Sequence, residues 1–172
     1  MDAHAIDPES LRACVSEIPQ DVFLFDAAIL DNITMFQEFP ESRVREAVKQ
    51  AGLSELMERK GGGYLCGEGG GCLSGGEKQR ISIARCFLKD ASVLIADEAD
   101  AALDAETAFH IMNEILQMKK LTRIVVSHNM NQLLLRQYDQ IVVMKHGRVQ
   151  EVGKFGELMG RNGELSSLVR VD

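Results

Sequence analysis

The feature that most constrains this chain is a short apolar run, residues 92–96, that ends in paired carboxylates, Asp97-Glu98. The run is too short for an ordinary helix. It is also too uniformly apolar for a strand with one wet face, so it reads as a strand of a parallel sheet buried on both faces. Two further runs of the same kind follow, at 124–126 and 141–144. Between the first two lies the stretch 104–119, where Ala108, Ile111, Met112, Ile115 and Leu116 make an apolar stripe at helical spacing. Strands alternating with helices point to an α/β layered sheet. Ligands of such sheets bind beyond the carboxyl ends of the strands, and Asp97 and Glu98 stand at such an end.

The rest of the chain supplies further local signals. Asp7-Pro8-Glu9 is a helix start, with Asp as cap and Pro at the first helical position. An apolar stretch at 14–18 stops at Pro19-Gln20. Residues 40–53 form an amphipathic helix with Val44, Ala47, Val48 and Leu53 near one face. Glycines at 61–63 and 67–71 bracket a flexible loop. His146-Gly147 between two strand-like runs suits a tight hairpin, and 155–169 reads as two short helices.

Bulk properties exclude several classes. A chain of 172 residues suffices for one domain with a core. A formal net charge of −7 disfavours a basic nucleic-acid surface. Cys14, Cys66, Cys72 and Cys86 form no CxxC pair and lie at no zinc-ligand spacing, so they read as four reduced thiols. No apolar run approaches the ~20 residues needed to span a bilayer. The opening Met1-Asp2-Ala3-His4 has no basic-plus-apolar signal segment.

The octapeptide Leu73-Ser74-Gly75-Gly76-Glu77-Lys78-Gln79-Arg80 carries the sharpest chemistry. Ser74 can cap the helix that runs to about Leu88, and two glycines strip side chains from its first turn. Exposed backbone N–H groups, a hydroxyl and the helix dipole then make an anion site. As a whole the octapeptide resembles the signature motif of ATP-binding cassette (ABC) transporter ATPases. Val93 to Glu98 is similar to that family's Walker B motif. The resemblance implies that Asp97 holds Mg²⁺ through water and that Glu98 polarises the attacking water. Ala102-Leu103-Asp104 resembles the D-loop along the cassette dimer interface, with Asp104 also placed to cap the next helix. Ser127-His128 resembles the switch histidine at the γ-phosphate. Pro19-Gln20 with Leu24-Phe25 and Ile29 to Ile33 resembles the Q-loop, in which Gln20 ligates Mg²⁺ or orients water. Gly67-Glu68-Gly69 resembles the loop that touches the membrane domain in exporter-type members.

The resemblance implies a partial P-loop NTPase (RecA-like) α/β core of mainly parallel strands with an inserted α-helical signature subdomain. It divides the chain into 1–20 of the core, 21–90 as the helical subdomain, and 91–172 as the remaining core. It implies ATP and Mg²⁺, with Ser74, Gly75, Gly76, Glu77 and Asp104 on the nucleotide side. It also implies a second cassette packed head to tail, a transmembrane domain as partner, no nucleic acid, and a cytoplasmic place peripheral to the membrane. Two departures stand out. Asp100 and Ala101 occupy positions where exporters more often have Thr and Ser. No Gly-x-x-x-x-Gly-Lys-[Ser/Thr] occurs, and the one Gly-Lys, Gly153-Lys154, precedes Phe155. By family order the chain begins just before the Q-loop, as a fragment or truncated product whose exposed apolar surface promotes self-association. The alternatives are a non-catalytic partner that donates Ser74 in trans, and the C-terminal lobe of an SMC-type chromosome ATPase. The exporter-like motifs and the lack of heptads weigh against the latter.

Overall fold

The computed structural model describes residues 7–118 and 121–170. The Met1 to His4 opening and the Lys119 end of the expected helix lie outside the described residues. The chain divides into two compact units, Met1–Ser127 and His128–Asp172.

In the first unit, three strands pair in parallel in the order β1-β2-β3: β1 (Val15–Ile18), β2 (Val93–Asp97) and β3 (Thr122–Val126). Helix α1 (Pro8–Cys14) leads into β1, with the Asp7 carboxylate accepting the Ser10 N–H at 2.9 Å. Between β1 and β2 come α2 (Ile29–Thr34), α3 (Glu41–Gln50), α4 (Ser54–Lys60), a 3₁₀ turn at Glu68–Gly70, and α5 (Gly75–Leu88). Helices α2 and α3 pack on α5. Helix α6 (Ala105–Gln117) joins β2 to β3 and buries Ala108, Ile111, Met112, Ile115 and Leu116, the expected stripe.

Two expectations change here. The helix expected over 40–53 already ends at Gln50, because Gly52 takes a left-handed φ of 66° that stops α3. Leu53 is buried beyond that end and starts α4. The sheet is also not buried on both faces. The register places Ser16, Ile18, Leu94 and Ala96 on one face, and all four are buried. Ile95 and Ile124 share the opposite face with Val126, and there Ile124 is 51% and Val126 49% exposed. Apolar residues on both sides of a strand dictate a strand, but cover on each side comes from other elements.

The second unit holds α7 (Gln132–Leu135), β4 (Ile141–Lys145), β5 (Arg148–Gly153), α8 (Phe155–Gly160) and α9 (Glu164–Val169). The run at 141–144 is therefore antiparallel to β5, not a parallel strand. The hairpin turn explains it: His146 and Gly147 both have positive φ, 51° and 71°, the geometry of a two-residue turn that folds the chain straight back. Leu135, Val143, Phe155, Leu158, Leu165 and Val169 form this unit's core.

Candidate functional site

Parallel pairing sends every carboxyl end of the sheet to one edge. Ile18 lies beside Ala96, and Asp97 beside Val126. The residues that follow each strand, Gln20, Glu98 and Ser127, therefore converge although they are far apart in sequence. The Gln20 Nε2 donates to the Glu98 Oε2 at 2.7 Å, a contact across 78 residues. Glu98 itself sits in a left-handed conformation, φ 47°. A side chain pays roughly 1–2 kcal/mol for that backbone. The Glu98 N–H donates to the Val126 carbonyl at 2.9 Å, and the Glu98 carbonyl accepts from Ala101 at 3.1 Å, which lock the turn. The turn swings the Glu98 side chain off the strand line and onto Gln20. Asp100 follows within the same turn, and the Ser127 hydroxyl donates to its carboxylate at 3.4 Å.

The oxygen-rich set suits a hard cation. Asp97 supplies a carboxylate at the strand end. Gln20 engages Glu98 through its amide nitrogen, so its side-chain carbonyl oxygen is the end that could reach an ion. No group of three or more His, Cys, Asp or Glu capable of holding a metal ion is present among the described residues. An ion here would take its other ligands from water or phosphate oxygens, as Mg²⁺ prefers.

The turn at Ser74 is built locally. Ser74 is the cap of α5: its hydroxyl accepts the Glu77 N–H at 3.2 Å, and the Glu77 carboxylate accepts the Ser74 N–H at 2.8 Å. This reciprocal pair is a capping box. Arg59 adds an ion pair to the other Glu77 oxygen at 2.7 Å. Partial burial works against the Glu77 charge, but the Ser74 N–H and the Lys60 and Arg59 charges outweigh it and hold the carboxyl below its ordinary value. Gly75 and Gly76 occupy the first turn, where helix N–H groups have no intrahelical acceptor. A Cβ on Gly76 would stand 3.1 Å from the Ala102 carbonyl oxygen, so the glycine turn lies against the loop that leads to Asp104. Asp104 caps α6 by accepting the Thr107 N–H at 3.0 Å, which holds its carboxyl below the usual value.

The structure thus brings Gln20, Asp97 and Glu98 to one edge, and Ser74, Gly75, Gly76 and Glu77 beside the Ala102 to Asp104 loop. His128 opens the second unit, directly after Ser127. Three connecting residues escaped the sequence reading. Gln79, buried in α5, donates to the Pro19 carbonyl next to Gln20 at 3.4 Å. Asn32, fully buried in α2, pairs with both the N–H and the carbonyl of Phe25 and donates to the Cys66 sulfur. Arg85 of α5 donates to the Asn32 carbonyl, the Asn32 side chain and the Phe23 carbonyl at 2.7, 2.9 and 2.8 Å. A buried Asn inside an apolar helix was the available signal, since a polar group is tolerated there only when its bonds are satisfied.

Residues 1–101 match the family model described as ABC transporter. The chain belongs to the ABC transporter family. This ABC chain is 38% identical over 174 residues to the beta-(1→2)glucan export ATP-binding/permease protein NdvA of Mesorhizobium japonicum, a match that covers 99% of this chain and 29% of that protein. It is 36% identical to the ATP-dependent lipid A-core flippase of Paraburkholderia xenovorans, covering 96% of this chain and 28% of the flippase. It is also 36% identical to the mycobactin import ATP-binding/permease protein IrtB of Mycolicibacterium thermoresistibile, over 96% of this chain and 29% of the relative. Among solved structures it superposes on a bacterial Atm1-family ABC exporter with ATP bound, at a TM-score of 0.90 and 31% identity, covering 99% of this chain and 30% of that one. The ABC chain therefore spans less than a third of the length of these relatives. Its α/β fold with a parallel sheet is that of an ABC exporter's ATPase part. No helix among the described residues is long and apolar enough to cross a membrane.

Proposed function

We propose that this chain is the signature-bearing part of an exporter-type ATP-binding cassette, working on MgATP at the interface of two cassettes. The observation that carries this reading is the 2.7 Å hydrogen bond from Gln20 to Glu98 at the carboxyl edge of the sheet, beside Asp97. In this reading Asp97 and the Gln20 carbonyl hold a hydrated Mg²⁺, which neutralises phosphate charge when bound. Glu98 orients the attacking water and accepts its proton, and Gln20 holds that carboxylate in place. His128 acts at the γ-phosphate. Ser74, Gly75 and Gly76, with Glu77 as the cap that preforms the turn, reach the phosphates of the nucleotide on a second cassette packed head to tail. Asp104 lies in the loop at that interface.

The phosphate cradle is the part these 172 residues do not contain. Backbone amides of a Gly-x-x-x-x-Gly-Lys-[Ser/Thr] loop must come from outside them. The expected outcome is therefore negligible ATP affinity of the 172-residue chain by calorimetry. Micromolar binding with turnover lost on Glu98→Gln would overturn that outcome and place the whole site within this chain.

In the same reading, the side that meets the transmembrane domain carries exposed apolar side chains. Phe23 is 64%, Phe36 61% and Leu65 62% exposed. Phe25 meets Phe23 and Phe36 edge to face at 5.1 and 5.5 Å. Cys66, next to Leu65, donates its N–H to Ala27 at 2.9 Å, which ties the aromatic strip to the loop at Gly67-Glu68-Gly69. A strip of this kind marks a protein contact, here with the transmembrane domain on its cytoplasmic side. The uncovered sheet face and the edge position of β3 make the 172 residues alone prone to self-associate.

A further inference from the structure

The glycine-rich segment ahead of Ser74 is a closed loop, and a cysteine stands at each end of its neck. The Cys72 N–H donates to the Cys66 carbonyl at 2.9 Å. Inside the neck, Gly70 donates to the Gly67 carbonyl at 2.9 Å and Gly71 to the Glu68 carbonyl at 3.0 Å. Gly67, Gly69 and Gly70 all have positive φ, at 74°, 58° and 75°, so the compact path depends on glycine. The covalent geometry on either side of that single N–H···O contact keeps the two Cα atoms no more than about 6.8 Å apart, and a disulfide spans roughly 4.4–6.8 Å. The Cys72 sulfur lies over the neck, 2.9 Å from where a Cβ on Gly67 would stand. Cys66 is buried with its sulfur accepting from the Asn32 amide at 3.4 Å, while Cys72 is exposed.

We propose that Cys66 and Cys72 are a redox modification site, in which a reversible disulfide closes the loop at 67–71 immediately ahead of Ser74. The oxidant is a low-molecular-weight disulfide of the glutathione class. The exposed Cys72 thiolate attacks one of its sulfurs, the S–S bond breaks, and one thiolate leaves. Cys66 then loses its proton to solvent and attacks the Cys72 sulfur, expelling the second thiol. Two protein thiols are oxidised by two electrons, and one small disulfide is reduced to two thiols. Burial pushes the Cys66 thiol up, against the Asn32 bond and the Arg85 charge, so the second step quickens as pH rises. Whether loop closure alters contact with a membrane domain rests on the reading given above for Gly67-Glu68-Gly69. The disulfide itself does not.

The test is covalent. The 172-residue chain carrying Cys14→Ser is equilibrated with reduced and oxidised glutathione, alkylated and cut with trypsin, which releases residues 61–78 as one peptide holding both cysteines. The expected product is that peptide lighter by two hydrogens, with neither glutathione nor alkyl group. Cys66→Ser should leave Cys72 as a stable glutathione adduct, and Cys72→Ser should leave Cys66 unmodified until the chain is unfolded. The oxidation constant should be about tenfold larger in the folded chain than in urea, equivalent to about 30 mV for a two-electron couple. Accumulation of a Cys72–glutathione adduct beside a free Cys66 in the otherwise unchanged chain would overturn the proposal, as would equal constants in native buffer and urea.

Discussion

The turn at Ser74 and the carboxylate edge at Asp97-Glu98, both given to phosphate chemistry in the function proposed above, are assembled in opposite ways. The Ser74 turn closes on itself within four residues: Ser74 and Glu77 satisfy each other, and the helix that follows orients the free amides. The carboxylate edge closes across 78 residues, through Gln20 and Glu98, and exists only once β1 and β2 are paired. The first is stiffened by its own chain. The second is stiffened by a left-handed residue and by hydrogen bonds from neighbouring strands. A locally built site keeps its shape wherever the helix goes, which suits a group presented to another molecule. A site built across a sheet is destroyed when the sheet opens, which suits a group that must act only in the assembled fold. Arg85 and Gln79 run from the helix of the first site to the segments flanking Gln20, so the two are mechanically joined.

The largest effect should fall on the long-range site. Glu98→Gln in an assembled transporter should lower phosphate release by about 10²-fold or more while leaving its urea midpoint close to wild type. Unchanged turnover would remove Glu98 from the chemistry and with it the contrast between the sites. Next comes the link between them. Arg85→Met leaves the Asn32 and Phe23 carbonyls without their donor, and should cost about 2–4 kcal/mol in urea unfolding of this chain. A loss under about 0.5 kcal/mol would mean the sites are not joined through this residue.

A smaller effect is expected where the Ser74 turn meets the Asp104 loop. The Cβ of Gly76→Ala enters 3.1 Å from the Ala102 carbonyl, and the backbone shift should cost about 1–2 kcal/mol. Gly75→Ala, whose Cβ would stand 3.8 Å from the Ala102 side chain, should cost less. The smallest effect isolates the cap. The Glu77 carboxyl is held below its ordinary value near 4.5, so its stabilisation is present above that pH and lost as pH falls through the lower, folded value. The urea midpoint of the wild type should exceed that of Glu77→Gln at pH 7 and converge with it in acid. A gap that persists at pH 3 would assign the stabilisation to packing rather than charge.

Much of this architecture was legible from residue order. The caps Asp7, Ser74 and Asp104, the stripe of α6 and the turn at His146-Gly147 are signals within one or two turns of chain, and each stands in the structure as read. The break at Gly52 was less legible, because a glycine late in an amphipathic pattern reads either as a tolerated residue or as an end. The direction of β4 was legible only in the hairpin turn that follows it, not in the run itself, and the open face of β3 was not legible at all. An apolar run states that a segment is a strand, and says nothing about which neighbour pairs with it or what covers it.

For the site the division is similar. Residue types and spacing alone determined the capped glycine turn at Ser74 and the paired carboxylates at a strand end, because each is a local pattern that backbone geometry turns into structure, while the family rested on the resemblance of those motifs to known ones. Only the tertiary structure decided that Gln20 grips Glu98, that Asn32 and Arg85 knit the segments between them, and that a backbone hydrogen bond joins Cys72 to Cys66 across a loop neck. Those contacts depend on strand register and helix packing, which are set by the free energy of the whole fold and not by any stretch of neighbours.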